Sequence, residues 1–424
     1  MRLPADLKIE LTMPVELPPS HEEQTPPSPP NVFIWGGVVV LLAALGMALS
    51  IVTWPHGKST ADPWFWVQTA VLPVTFAGFV FGLRWLYYGQ QVSVYEAEEE
   101  TAAADRAEAI RFGREPLAVV GFAYLTAMGN WNVGARIAKG ERALRSQLSP
   151  TTGVTLRRTQ LDLLDGTDGF ARFELCLSEL MRGTRTMIQS VPPNTPLDVY
   201  LQVPDGLGDE AVRDAWHACT KAVGITLAEP LRLTKEDGLM AADEWLDIQG
   251  GPSLEKFALF VAVQTADEAS SNSSDAAVAM LMTWAPLAER MRVDIAAKLH
   301  RPVDVPGELT VDEVSESLLW GNAEAKDVCD LWQTGLVEDD EDVLSKAASD
   351  LALALVEADE PAGRHDIDAA LGSAGEAAGW LAVALATEQA CKTGKPQLVC
   401  TRQGSIRMAV VRPPEQTNQV EQTG

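Results

Sequence analysis

The sequence is poor in basic residues. Across 424 residues, 33 Lys and Arg stand against 59 Asp and Glu, a formal net charge of -26. Binding to nucleic acid needs clustered cations to neutralise phosphates, so this balance excludes nucleic acid as the main partner. It also keeps the polar part of the chain from lying on anionic lipid. Cysteine is scarce as well. Cys176, Cys219, Cys329, Cys391 and Cys400 make an odd number with no CxxC spacing. That excludes a disulfide framework and fits reduced, mostly buried thiols in a cytosolic compartment. No GxSxG, Walker A, GxGxxG or HExxH occurs. The common hydrolase, nucleotide and metalloprotease chemistries therefore lack their motifs.

Charge is missing altogether from two long runs. Val32–Trp54 and Trp64–Leu83 contain no charged residue. At about 1.5 Å per residue, each is long enough for a hydrocarbon core of roughly 30 Å. The break between them, Pro55–Pro63, has room only for a turn. Residues 31–91 thus read as a transmembrane helical hairpin. Trp35, Trp54, Trp64, Trp66, Trp85, Tyr87 and Tyr88 fall near the span ends, where amphipathic rings favour the headgroup layer. Arg2, Lys8 and Arg84 flank the outer ends and only Lys58 lies in the turn. This charge pattern predicts both termini in the cytoplasm, with a bacterial inner membrane as the natural setting. The first run is too long for a signal-peptide core and has no basic segment before it. With no ionisable residue inside either span, the hairpin reads as an anchor rather than a conduction path. Pro73 is expected to kink the second helix.

Around the hairpin, 1–30 is a Pro-rich tail expected to be disordered, and 92–114 a Glu/Ala-rich helical stalk. Residues 115–413 alternate strands with helices, the pattern of an α/β domain, and 414–424 form a polar tail. Leu117–Met128, Leu197–Val203, Phe257–Gln264, Ala276–Trp284, Gln397–Thr401 and Ser405–Val411 read as strands. Helices are expected over 133–148, 168–188, 209–223 with Asp209 as N-cap, 311–319 and 341–358, and an apolar one ends at Lys392.

One stretch of this domain is specific. Gly372-Ser-Ala-Gly-Glu-Ala-Ala-Gly379 opens an Ala/Leu-rich helix, followed by an apolar strand, Gly404 and a last strand, MAVVRP. This resembles the C-terminal half of β-ketoacyl synthases, in which a G-H-x-x-G-A-A-G turn opens a buried helix and a glycine-containing strand pair ends the domain. Val119-Val-Gly121, Gly129 and Gly140 look like that family's opening strand and glycine turn. The resemblance spans roughly 117–413. It implies a reduced thiolase-like fold with αβαβα layers, and a dimer paired across a sheet edge. The family's catalysis rests on a cysteine nucleophile that opens a helix after a strand, two histidines and a lysine. Here the turn's histidine falls on Ser373 and its second glycine on Glu376, with Gly375 one position before it, while Gly372, Ala377, Ala378 and Gly379 keep the pattern. The other histidine loop finds its nearest match at Trp320–Asp327, with Trp320 in the histidine's place. Cys219 is the nearest stand-in for the nucleophile, yet it lies inside a helix. The layout also resembles membrane-attached accessory proteins encoded beside bacterial type VI secretion effectors.

Other constellations favour plain readings. His217 and Cys219, two apart on a helix, do not face each other. His365–Asp368 holds too few ligands for a metal and reads as a solvated loop. Glu338–Asp342 lacks the glycine spacing of a calcium loop and reads as an exposed acidic run. Ser373 reads as a helix cap rather than a nucleophile. No metal or cofactor is implied. Three functions stay open: a non-catalytic adaptor that recruits a protein to the membrane, a membrane-held acyl-transfer enzyme using Cys219, and a hairpin that itself binds a target.

Overall fold

In a computed structural model the described residues are Val15, 26–55, 58–148, 155–164, 169–265, 271–355 and 363–414. Most of the N-terminal tail and 415–424 lie outside them. The chain forms two compact units, Glu16–Ala109 and a larger one that runs from Ile110.

The first unit begins with α1 (Val32–Thr53), whose first turn is capped by the Asn31 side chain. After the turn come α2 (Pro63–Trp66), capped by Asp62, a π-helical turn at Val67–Val71, and α3 (Leu72–Gly113). Two helical stretches are long and apolar enough to cross a membrane, Val32–Thr53 and Pro63–Gly113. The structure answers Pro73 with the π turn. Proline removes an N–H and crowds the carbonyl four residues back, and an inserted residue relieves both. Ser50 Oγ on α1 donates to the Gln68 carbonyl in that turn at 3.0 Å, which partners a group the irregularity loosens. The stalk is helical and continuous with the second apolar stretch, because 89–113 contains no proline and only Gly89 and Gly113 as weak formers.

The second unit opens with β1 (Leu117–Thr126), α4 (Val133–Ala138), β2 (Arg145–Leu148) and β3 (Thr155–Thr159). Then follow α5 (Phe170–Gln189), β4 (Leu197–Gln202), α6 (Asp209–Val223), β5 (Leu231–Leu233), α7 (Met240–Leu246), β6 (Phe257–Gln264), β7 (Ser273–Ser274), β8 (Ala276–Trp284) and α8 (Ala285–Met291). The second half supplies β9 (Ala297–Leu299), β10 (Val303–Val305), α9 (Val311–Trp320), β11 (Asp330–Thr334) and α10 (Glu338–Asp350). It closes with β12 (Arg364–Asp366), α11 (Ile367–Leu371), α12 (Ala378–Thr393), β13 (Gln397–Gln403) and β14 (Ser405–Arg412).

The two halves repeat one topology. The first runs β5-β4-β6-β8-β1 and the second β12-β11-β13-β14-β9. In each, three strands are parallel, and the fourth, β8 or β14, is antiparallel to its neighbours. β9 pairs with both β1 and β14 and joins the halves. A helix leads into the parallel strand beside the antiparallel one in both: α7 into β6, and α12 into β13.

These two helices share one core between the half-sheets. On β8, Ala276, Val278, Met280 and Met282 face that core, while Ala277, Ala279 and Leu281 face the core under α5 and α6. A strand buried on both faces needs an unbroken apolar run, which is what AAVAMLMTW supplies. α12 packs against β8 in one half and β11, β13 and β14 in the other. Twelve of its residues are buried, as expected of a helix apolar on every side. α9 and α10 cover the far face of the second half-sheet, α9 packing on β14. The layers are therefore α5/α6, sheet, α7/α12, sheet, α9/α10.

Three expected elements differ. The helix expected over 133–148 stops at Ala138. Gly140 turns the chain with φ +80°, and 145–148 pairs with β3 instead. The N-cap of α6 is Gly208, and Asp209 pairs with Arg232. The acidic run 338–342 is exposed at Glu338, Asp339 and Asp342, but it forms the first turn of α10, where carboxylates meet free N–H groups, and Asp340 is buried and binds Arg402 at 2.6 Å.

Candidate functional site

The turn 372–379 joins α11 to α12 and is where both halves meet. Its outer edge is laced to the β7 segment. Ser373 N–H donates to Asn272 O at 2.6 Å, and Ser274 N–H to Ser373 O at 2.9 Å. Ser373 is exposed and caps neither helical start, since Ala374 and Ala377 occupy the capping positions. The expected cap is replaced by a strand-like bridge from Ser373 to Ser273.

The inner edge of the turn meets three glutamines, each the last residue of a strand. Gln202 ends β4 and donates from Nε2 to Glu376 Oε2 at 3.1 Å. Gln264 ends β6 and accepts from Glu376 N–H at 3.2 Å. Gln403 ends β13 and donates to the carbonyls of Gly375 at 3.1 Å and Glu376 at 3.3 Å. Gly375 has φ +49°, and the Gln264 side chain fills the place its Cβ would take, so only glycine fits there. Trp380 Nε1 donates to Gln202 Oε1 at 3.2 Å, which uses both ends of that buried amide. Its ring stacks on Phe260, and Phe260 on Tyr200, with centroids 4.6 and 4.8 Å apart.

The first half contributes the loop between β5 and α7. Leu239 Cγ and Gln403 Oε1 lie 3.3 and 3.0 Å from where a Cβ on Gly379 would stand. Arg407 of β14, nearly buried, binds the carbonyls of Glu236 and Asp237 and lies 3.3 Å from Asp304 Oδ1. Gln403 Oε1 is buried and accepts no hydrogen bond among the described residues. The loop after β11 is tied nearby to α11: Asp368 accepts from Thr334 Oγ1 at 2.8 Å and from Gly335 N–H at 2.7 Å, while burial holds its carboxyl above the usual range. The junction offers amides, a carboxylate, a guanidinium and a hydroxyl, groups that bind and orient.

The sequence-predicted residues do not gather in one place. Gly372, Ser373, Gly375, Ala377, Ala378 and Gly379 form the junction described. Cys219 sits in α6 with its thiol toward the Glu174 carbonyl of α5 at 3.8 Å, on the opposite face of the first half-sheet. Burial raises that thiol's pKa. Trp320 ends α9, with its ring against Gly113 and its Nε1 on Glu316 at 3.1 Å. Asp327 closes a short 3-10 turn beyond it. Cys219, Ser373 and Trp320 thus occupy three layers. His217 lies 3.5 Å from Glu229. His365 is not in a solvated loop but buried in β12, packed at a tilt against the ring of Trp332 and bonded to Asp330 at 2.7 Å, and Asp366 caps α11. No group of three potential metal ligands occurs among the described residues. Of the aromatics expected near the span ends, Trp35 and Tyr87 flank Arg84 at 5.9 and 5.5 Å, and Trp54 packs edge-on against Phe65 near the turn. Trp64, Trp66 and Trp85 are exposed, and Trp85 packs beside Tyr88.

The three glutamines match no motif in the sequence. Their signal is a polar amide closing an apolar strand, in LDVYLQ, FALFVAVQ and QLVCTRQ. Strand C-termini are where α/β folds build sites.

Among solved structures, the chain is similar to the ketosynthase from module 6 of the bacillaene synthase of Bacillus subtilis 168, with TM-score 0.51 and 11% identity, covering 70% of each chain. It is similar also to ketosynthase twelve of the bacillaene polyketide synthase in Bacillus amyloliquefaciens, with TM-score 0.50, 11% identity and coverage of 72% and 74%. A β-ketoacyl synthase from Burkholderia phymatum STM815 gives TM-score 0.50 at 8% identity, over 70% of this chain and 99% of that one. The fold is thiolase-like. No protein-family model matches the chain, and no curated protein matches it. In this thiolase-like domain α7 and α12 are the paired central helices, and the candidate site lies where both begin.

Proposed function

We propose that this chain is a membrane-anchored thiolase-like binding module that works without acyl-transfer catalysis and gathers a protein partner beneath the bilayer. The observation that carries this reading is the amide network at the junction. Glu376, Gln202, Gln264 and Gln403 occupy the ground where the ketosynthase-like pattern sets its histidine turn. α7, a helix that follows a strand, opens on Leu239 and Met240 and carries no cysteine. Ser373 stands in the histidine's place with its backbone engaged by Asn272 and Ser274. Donors at a developing oxyanion are worth several kcal/mol, so such replacements weigh on chemistry more than on folding. The two apolar helices support a bilayer anchor, and the flanking charges an inner-membrane hairpin with cytoplasmic termini. The acidic surface suits a partner with a basic face, and a secretion effector or its carrier is the class that the gene-neighbour resemblance favours.

The test is covalent trapping. The full chain, in detergent, is treated with a thiolate-directed acyl-thioester mimic and mapped by mass spectrometry. No cysteine is expected to label faster than in the unfolded chain. An adduct on Cys219 that vanishes in Cys219→Ala overturns the reading in favour of an acyl-transfer enzyme. Co-purification from membranes that yields no protein partner counts against the adaptor role.

A further inference from the structure

A cavity of about 850 Å³ opens at the far end of α12 from the turn. It is lined by the start of the domain (Arg114), the C-terminal end of α9, the segment Asn322–Asp327, Gly394–Pro396, and Arg412 at the end of β14. α12 has 16 residues, so at about 1.5 Å each roughly 24 Å of helix separates this cavity from the turn. Its volume falls in the range of small-molecule sites.

Its charge is opposite to that of the chain. Four basic residues, Arg114, Lys326, Lys395 and Arg412, face two acidic ones, Glu324 and Asp327, a local balance of +2 in a protein of net -26. Glu324 pairs with Lys326 at 2.5 Å. The arginines are anchored but not exhausted. Arg114 donates from Nε to the Leu319 carbonyl at 2.9 Å, and Arg412 from Nη1 to the Asn322 carbonyl at 2.8 Å. Each bond satisfies a carbonyl at the end of α9 and fixes a guanidinium, which is the whole of a purely structural role. The Nη groups of Arg114 and Nη2 of Arg412 take no further hydrogen bond among the described residues. Two planar forks fixed on one cavity wall match the oxygens of a phosphoryl group. Lys395 stands beside them with its ammonium 3.1 Å from Cys329 Sγ. Next to the lining residue Asn322, Gly321 packs so closely on Val410 that a Cβ there would lie 2.5 Å from the valine. His300 behind the wall is held neutral, its pKa lowered to about 4 by burial and by Arg412, so the cavity's charge does not change near neutral pH.

We infer that this cavity binds a phosphomonoester, whose charge of about -2 matches the local excess of +2. Arg114 and Arg412 hold the phosphoryl oxygens and Lys395 supplies long-range attraction. The same group occurs on a soluble metabolite and on the headgroup of phosphatidic acid, and the experiment separates the two.

The full chain is placed in nanodiscs of phosphatidylcholine and titrated calorimetrically with inorganic phosphate and with pyrophosphate. A second preparation carries phosphatidic acid in the disc, with thermal unfolding as the readout. Saturable binding of the soluble probes, weakened at least about tenfold in R412Q/K395Q and by added salt, supports a soluble ligand. Stabilisation by phosphatidic acid alone, lost in the same double variant, supports the lipid. Dissociation constants no tighter than about 10 mM in the first arm with no stabilisation in the second overturn the inference. So does binding or stabilisation that the double variant leaves unchanged. Lys395→Gln alone, at an exposed position, provides the same comparison should the double variant fail to fold.

Discussion

Gln202 and Glu376 are bonded at 3.1 Å across the two halves of the domain, one at the end of β4 and the other in the turn before α12. Gln202 is fully buried. Removing its acceptor leaves a buried amide donor unsatisfied, which costs about 1–3 kcal/mol. Glu376→Ala is therefore expected to lower the unfolding free energy by that amount, and Glu376→Gln, which keeps an acceptor, to lose less than half of it. Chemical unfolding of both variants measures this. Equal losses would show that the amide does not depend on the turn.

Four of the five cysteines are expected to react slowly. Burial pushes the thiols of Cys176 and Cys400 up to about 12, and raises those of Cys219 and Cys391. Only the thiolate reacts, so at pH 8 iodoacetamide should modify native Cys176 and Cys400 at least about a hundredfold more slowly than in the unfolded chain. Cys219 should also lag. Peptide-resolved alkylation rates decide it, and a fast native Cys219 would reopen the acyl-transfer reading.

Much of the fold was legible because its signals are local. Phe257–Gln264 and Ala276–Trp284 are apolar runs of strand length, and the structure reproduces their bounds. The glycine turn showed in the spacing of Gly372, Gly375 and Gly379. What was hidden is non-local. Nothing near Arg145 announces its pairing with Arg158, and the helical pattern runs on past Gly140 in the sequence. Gln202, Gln264 and Gln403 lie far apart in sequence and acquire meaning only when the repeated topology brings three strand ends to one turn. Trp320 drew attention through its Gly-Asn neighbours, although its surroundings are Gly113 and Glu316.

Leu41 lies near the middle of α1 with its side chain exposed. If the helix crosses a bilayer, Leu41→Arg places a charge near the hydrocarbon centre at a cost of about 2.5–3.5 kcal/mol on insertion scales. The variant is expected to show reduced membrane insertion and increased release by alkaline carbonate, while Leu175→Arg, at an exposed position of α5, should leave extraction unchanged. Equal retention of Leu41→Arg would argue that the helix does not span.

Arg301 is buried beneath α7, where its Nη1 meets Asp243 at 2.6 Å and Asp247 at 2.5 Å, and its guanidinium lies 5.8 Å from the ring of Phe112. Burial raises the Asp243 carboxyl to about 6, with Asp247 and Glu244 adding repulsion and Arg301 opposing it. A folded pKa above the unfolded value means that the folded chain binds more protons between about pH 4 and 6. This group's contribution to stability is therefore present at low pH and is lost as pH rises through 6, by an amount on the order of 3 kcal/mol. Asp243→Asn stays neutral throughout. Other carboxylates titrate in the same window, so the readout is the difference in unfolding free energy between variant and wild type from pH 4 to 7. That difference should shift toward the variant as pH rises and level off above about 7, whereas a flat difference would place the ionisation of Asp243 at its ordinary value.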